Sequence, residues 1–313
     1  MLKPLFIMSV LIWLVLTGVV IVVLVVSQTR TKSGPIVAYT DGGQNTTHAI
    51  FLADLQHRLH IDLIPNLSFN NTPQWSPDGQ TLVFSCTQEG RRRLCRYDIG
   101  GRVTYLPIDH DAIQPQWSPD GRLIQYVHEA SGGLAEIRLY DMQTRTDTRF
   151  VVLEGGYTAS AWSPDGQKIA YAERIDLAAD WRIQIRQVTD AAQIGRGLVD
   201  DFEGVATLAW SPDGRRLACL CSWGQRADGL LQYITLIDAE TGEQNRIKRI
   251  LASGFRPVIS WLPDGEHLLM YDVFSTGQYE LLRIADRHLM TLADLGTAVT
   301  PSLRPGTMPA VVE

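Results

Sequence analysis

The chain has 313 residues, a formal net charge of -6 and an isoelectric point near 5.7. This acidic balance excludes nucleic acid as an expected partner, because nucleic acid binding requires a basic surface. Hydrophobic residues make up 45% of the chain and charged residues 20%, as in an ordinary folded protein.

The first predicted element is an apolar segment from Leu5 to Val26, 22 residues without a charged side chain. As a helix it would extend about 33 Å, enough to cross the apolar core of a bilayer. The segment is longer than the apolar region of a cleaved signal, and no small-x-small cleavage site follows it. We expect a single-pass transmembrane anchor over residues 1–27 (a signal-anchor), with a removed signal peptide as the alternative.

Residues 28–34 are polar and read as a short linker, which would hold the following domain close to the membrane. The charges on the two sides of the apolar segment are almost balanced and do not fix its orientation. A single N-terminal anchor before an all-β domain favours an extracytoplasmic position, in a periplasm or at a cell surface.

Residues 35–313 are organised around a repeated Trp-Ser-Pro-Asp-Gly motif. Copies of it, the fifth with leucine in place of serine, begin at Trp75, Trp117, Trp162, Trp210 and Trp261. With a degenerate copy at Leu303, successive copies start 42, 45, 48, 51 and 42 residues apart, a period typical of repeated four-stranded units. We therefore expect an all-β fold, a six-bladed β-propeller, with the five tryptophans packed between neighbouring blades.

Each motif also predicts a turn between two strands. Proline presets φ at the second position of a type I turn, and glycine takes the left-handed conformation at its end. The third and fifth residues after each glycine share one strand face, and they are Leu82 and Phe84, Ile124 and Tyr126, Ile169 and Tyr171, Leu217 and Cys219, and Leu268 and Met270. A single unit cannot bury this stripe alone, whereas neighbours stacked around a ring can.

The two ends of the array are expected to share one blade. Ile36–Tyr39, His48–Asp54 and Leu59–Leu63 resemble strands of a unit that lacks its first strand, and Val299–Pro305 resembles that missing strand. Joining them would close the ring and remove exposed sheet edges. The second place in this blade is open between Ile36–Tyr39 and Met308–Glu313.

Four cysteines lie in the predicted strands. Cys86 and Cys95 fall in neighbouring strands of one blade, and direct pairing of the two residues would permit a disulfide in an oxidising compartment. Cys219 and Cys221 are two apart in one strand, and we expect them to serve as small core residues with free thiols.

Loops that lead into the first strands of successive units carry carboxylates, which we predict to gather at one mouth of the channel. These residues are Asp109, Asp111, Glu154, Asp200, Asp201 and Glu203. Such a mouth would attract a basic segment of a partner protein or a divalent cation. The alternative is that these carboxylates only belong to solvated loops on an acidic protein, without a binding role.

No catalytic signature is evident. The chain has no Gly-x-Ser-x-Gly motif, its seven histidines do not repeat from unit to unit, and the residues before the tryptophans are uncharged. We therefore expect no metal and no cofactor. The alternative is a hydrolase or lyase that uses a metal or carboxylate site in the propeller channel.

The repeated motif followed by an apolar strand resembles the TolB-type, WD-like propeller repeat over residues 35–313. The resemblance implies a six-bladed propeller that binds other proteins, usually in the periplasm or at the cell surface. The chain departs from TolB in having an apolar segment where TolB has an α/β domain. We interpret it as a membrane-anchored, non-catalytic binding or scaffold protein, an accessory subunit or adaptor of a membrane or envelope complex.

Overall fold

The structure is a computed structural model. It describes residues 36–40, 48–54, 59–67, 73–98, 101–154, 159–174, 181–189, 196–226, 229–251, 258–272, 278–291 and 302–303. No helix within these ranges is long and apolar enough to cross a membrane. The predicted anchor and linker, residues 1–34, lie outside them.

The described residues form 24 strands in six four-stranded antiparallel sheets, with one short 3₁₀ helix at Ser131–Gly133. Blade 1 contains β4 (Gln74–Trp75), β5 (Thr81–Gln88), β6 (Arg91–Asp98) and β7 (Val103–Tyr105). Blade 2 contains β8 (Ile113–Trp117), β9 (Leu123–Glu129), β10 (Ala135–Asp141) and β11 (Asp147–Leu153). Blade 3 contains β12 (Ser160–Trp162), β13 (Lys168–Arg174), β14 (Trp181–Gln187) and β15 (Arg196–Phe202). Blade 4 contains β16 (Gly204–Trp210), β17 (Arg216–Arg226), β18 (Gly229–Asp238) and β19 (Gln244–Leu251). Blade 5 contains β20 (Val258–Trp261), β21 (His267–Asp272), β22 (Gln278–Arg283) and β23 (Leu289–Thr291).

Five blades, and not the six that the sequence predicted, are contiguous repeats that carry the tryptophan motif. The remaining sheet, here the composite sheet, joins β24 (Ser302–Leu303) to β1 (Ile36–Thr40), β2 (His48–Asp54) and β3 (Leu59–Leu67) in that order. Val37 pairs with Leu303. Ile36–Thr40 therefore takes the second place that the sequence left open, and Met308–Glu313 lies outside the described residues. The all-β propeller fold is confirmed.

The predicted stripe is buried in all five blades. Its ten residues, at the third and fifth positions after each motif glycine, are no more than 3% exposed. Trp162, Trp210 and Trp261 pack against the cores of the preceding blades 2, 3 and 4. The indole nitrogen of Trp210 donates to the carbonyl of Ala161, and that of Trp261 donates to the carbonyl of Ala209, each at 3.1 Å.

The motif turns also contact one another around the array. A methyl group placed on Gly166 would lie 3.5 Å from Cδ of Pro119, so each turn packs on the turn of the preceding blade. Within a turn, the serine hydroxyl donates to the aspartate, as Ser211 does to Asp213 at 2.5 Å, and accepts from the next strand. The serine hydroxyl is the main cause of the lowered pKa of Asp213.

The cysteines differ from the prediction. In the register of β5 and β6, Cys86 lies opposite Arg93 and Cys95 lies opposite Phe84, so the two cysteines are diagonal neighbours and are not directly paired. They form a disulfide with their Cα atoms 5.8 Å apart. Cys219 and Cys221 share one face of β17, with their Cα atoms 5.5 Å apart, and both side chains are fully buried. The strand period of two places both sulfur atoms on the same side.

Replacement of Gly242 tests the contact between blades 3 and 4. Gly242 has φ of 80°, and a Cβ atom there would lie 2.5 Å from the carbonyl oxygen of Leu198. Gly90 has φ of 76° with nothing within 4 Å of that position, so Gly90→Ala is a matched control. Both variants carry the left-handed strain of about 1 to 2 kcal/mol, and Gly242→Ala adds a steric cost of about 1 to 3 kcal/mol. Equal losses in urea unfolding would contradict this blade contact.

Thiol counting tests the cysteine pairs. Protein denatured without reductant should show two free thiols, those of Cys219 and Cys221, and peptide mapping should recover the 86–95 link. Four free thiols would contradict the 86–95 bond.

Candidate functional site

The strand order gives the array two different ends. The motif turns lie at one end, here the turn end. The hairpins that join the second and third strands, such as Glu89–Gly90, lie at the other. The connections from the last strand of a blade to the first strand of the next also lie there, so we call it the crossover end. The predicted acidic loops belong to the crossover end.

The best described connection is residues 106–112, between blades 1 and 2. Its amide at Leu106 donates to the carbonyl of Leu94, and its amide at Ala112 donates to the carbonyl of Arg92. The Arg93 guanidinium donates to the carbonyl of Ile108. The connection is therefore fixed to blade 1 at both ends and in the middle.

His110 fixes the same connection to blade 2. Its Nε2 lies 2.8 Å from the hydroxyl of Tyr126, which donates to Asp147 at 2.7 Å. The ring of His128 lies 4.4 Å from that of His110, and Nδ1 of His128 lies 2.9 Å from the carbonyl oxygen of Asp111. Since a carbonyl only accepts, this nitrogen of His128 carries the proton.

Charged side chains complete the network behind Tyr126. Arg138 donates to Asp147 and to Glu136, and Arg149 also reaches Glu136. Burial opposes the charged form of Arg138, but the hydrogen bonds that it donates to Asp147 and Glu136 raise its pKa above the usual range. Burial and the bond to Asp147 raise the pKa of Tyr126, which stays a neutral hydroxyl. The arrangement is a chain of paired groups that joins blade 2 to the connection.

The six predicted carboxylates do not share one setting. Asp111 lies 3.3 Å from Arg92, whose guanidinium also binds Glu129 at 2.6 Å. Asp200 and Asp201 belong to β15, the outermost strand of blade 3, and not to a loop as predicted. Register shifts between β14 and β15 lengthen this strand to Phe202, which is fully buried.

Among the predicted carboxylates whose exposure the structure describes, Asp109, Glu154 and Glu203 are exposed. Asp109 and Asp111 flank His110 in the fixed connection, so the backbone that carries Asp109 is held on both sides. No group of three or more metal-binding side chains occurs in the described part of the chain. Asp109 is therefore an exposed predicted carboxylate on a well-anchored segment.

Sequence reasoning missed the His110 network. His110 and His128 occur in one unit only, so they form no repeated ligand set. One signal was available: Tyr126 and His128 alternate on one strand face, and that face meets the connection that precedes the blade.

The His110 network predicts how the free energy of unfolding depends on pH. Burial and the neighbouring His128 lower the pKa of His110. The unfolded chain then binds more protons, so this contribution to stability is present above about pH 6.5 and is lost as the pH falls through the folded pKa. Replacing His110 with Asn should reduce the fall in unfolding free energy between pH 7 and pH 5. A fall in the His110→Asn variant as large as that of the wild-type chain would contradict the assignment.

No protein-family profile matches this chain, and no curated protein matches it by sequence. Solved structures do match. TolB from Acinetobacter baumannii aligns with a TM-score of 0.67 and 17% identity over 87% of this chain and 67% of that one. A putative TolB from Agrobacterium tumefaciens aligns with a TM-score of 0.58 and 20% identity over 85% of this chain and 90% of that one. A chain of a nidogen/laminin complex aligns with a TM-score of 0.62 and 12% identity over 88% of this chain and 99% of that one. At these identities the likeness shows the fold, which is that of a TolB-like β-propeller.

Proposed function

We propose that this chain is a membrane-tethered, non-catalytic propeller that binds a partner protein through its crossover end. The observation that carries the proposal is the connection 106–112, which is bonded to two blades and yet leaves Asp109 exposed. A fixed, exposed carboxylate loses little conformational entropy on binding. Together with Glu154 and Glu203 it favours a basic segment as the bound element.

The composite sheet serves in this proposal as the sixth blade. It contacts blade 1 through β24 and β4. A ring closed by strands from both ends of the chain would be held by main-chain hydrogen bonds and would leave no blade face open to solvent.

The proposal assigns membrane attachment to Leu5–Val26. Its support is the length and the absence of charge in this segment. The short linker would keep the propeller near the bilayer, on the extracytoplasmic side, where it would act as an adaptor or accessory subunit of a membrane complex. The TolB and nidogen/laminin structures are compatible with protein binding as a use of this fold.

Neutralising the exposed carboxylates tests the proposal. Full-length chain with Asp109→Asn, Glu154→Gln and Glu203→Gln should fold normally, because exposed substitutions change stability by about 0.5 kcal/mol or less. Proteins that co-purify with the wild-type chain from detergent-solubilised membranes should be reduced about tenfold with this variant at low salt.

A triple variant at the turn end is the matched control. Glu240→Gln, Glu243→Gln and Glu266→Gln remove the same charge from exposed positions there and should leave capture unchanged. Equal capture by the wild-type chain and by both triple variants would contradict the crossover end as the binding surface. A loss confined to the control would place binding at the turn end.

A further inference from the structure

The outer strand of blade 4 has a free edge. β19 pairs with β18 and with no other described strand, so its outward main-chain groups have no partner strand. At eight residues it is the longest outer strand of the five motif-bearing blades; β7 and β23 have three residues each. A free edge of this length can accept an added strand.

The charge of this edge differs from that of the others. β19 carries Arg246, Lys248 and Arg249 and no acidic residue, within a chain of net charge -6. β15 carries one arginine and two aspartates, and β11 carries one aspartate and one arginine. If β19 paired with β19 of a second copy of the chain, three cations of one strand would face three cations of the other. Their repulsion disfavours this pairing.

Aromatic rings hold one of these cations. The Arg246 guanidinium lies 4.2 Å from the ring centre of Trp223 and 5.6 Å from that of Tyr233. Trp223 packs in turn against Phe202 of blade 3 at 5.0 Å. The rings restrict the arginine side chain while it remains exposed, which lowers the entropy lost when it meets an anion.

A groove of about 350 Å³ lies between blades 4 and 5 beside the same strand. Its lining is apolar at Leu236, Ile247 and Ile284. Polar and charged residues complete it, namely Arg216, Asp238, Glu243, Asn245 and Arg287. Leu236 and Ile247 are each less than 7% exposed. The groove can therefore receive apolar side chains from a strand laid along β19, since alternate side chains of a strand point to the same face.

We propose that β19 is a docking edge that accepts an acidic, extended segment of a partner protein as a fifth strand of blade 4. The main chain of the segment pairs with the free edge and its apolar side chains enter the groove. Its carboxylates meet Arg246 and Arg249, which pair with Thr235 and Tyr233 on the face opposite Leu236. This surface lies apart from the acidic crossover end and requires a segment of the opposite charge, so it goes beyond the function proposed above.

A synthetic peptide tests the docking edge directly. The probe is a fluorescein-labelled ten-residue peptide of alternating Glu and Val, titrated with the full-length chain in detergent and followed by anisotropy. Binding should be saturable, and Arg246→Gln, Lys248→Gln and Arg249→Gln together should weaken it about tenfold or more at low salt. Arg102→Gln, Arg145→Gln and Arg215→Gln remove three exposed charges elsewhere and should leave it unchanged.

Two modified peptides separate strand pairing from charge attraction without altering the protein. N-methylation of all Val residues blocks one edge of the peptide strand, and N-methylation of all Glu residues blocks the other. One of the two should lose binding and the other should keep it, because only one edge pairs with β19. Equal binding of both would overturn the proposal, as would binding of a ten-nucleotide oligothymidine in place of the unmodified peptide.

Discussion

Each blade of this protein has apolar surface on both faces, and this surface is buried only where another blade lies against it. Trp162, Trp210 and Trp261 show how the constraint is met, since each indole packs into the core of the preceding blade. Two of them also bond to a carbonyl one residue before the preceding tryptophan. Blade packing is therefore the tertiary interaction that buries the apolar faces of the described strands.

The interface between blades 1 and 2 departs from this apolar pattern. There the connection 106–112 inserts His110 beside Tyr126, and Asp147 and Arg138 follow behind it. A partly buried polar network is favourable only when its members are paired, and these are. The connection is consequently held in one conformation by directional bonds, whereas apolar packing alone would tolerate several. This explains how a loop at the crossover end can present a carboxylate in a fixed place.

The sequence predicted most of the fold and less of the site. The motif spacing located the blades, and the period of two identified the buried stripe, because both are local properties of a strand and its turn. The cysteine register was missed although the turn Glu89–Gly90, with φ of 51° and 76°, is a two-residue hairpin that pairs Gln88 with Arg91. Asp200 and Asp201 were misplaced because strand bulges are not visible in residue order. The contact of His110 with Asp147 depends on how a connection crosses a blade, and no local pattern encodes it.

The composite sheet joins the two ends of the described chain, and we propose that it closes the ring of blades. Val37 and Leu303 are directly paired in the composite sheet, so Val37→Cys with Leu303→Cys places two thiols opposite each other. Peptide mapping after mild oxidation should recover a 37–303 link, and the linked protein should unfold at a higher temperature than its reduced form. Val37→Cys with Ser302→Cys sets the thiols out of register and should give no such link. Free thiols at both 37 and 303 in the folded, oxidised protein would contradict the closed ring.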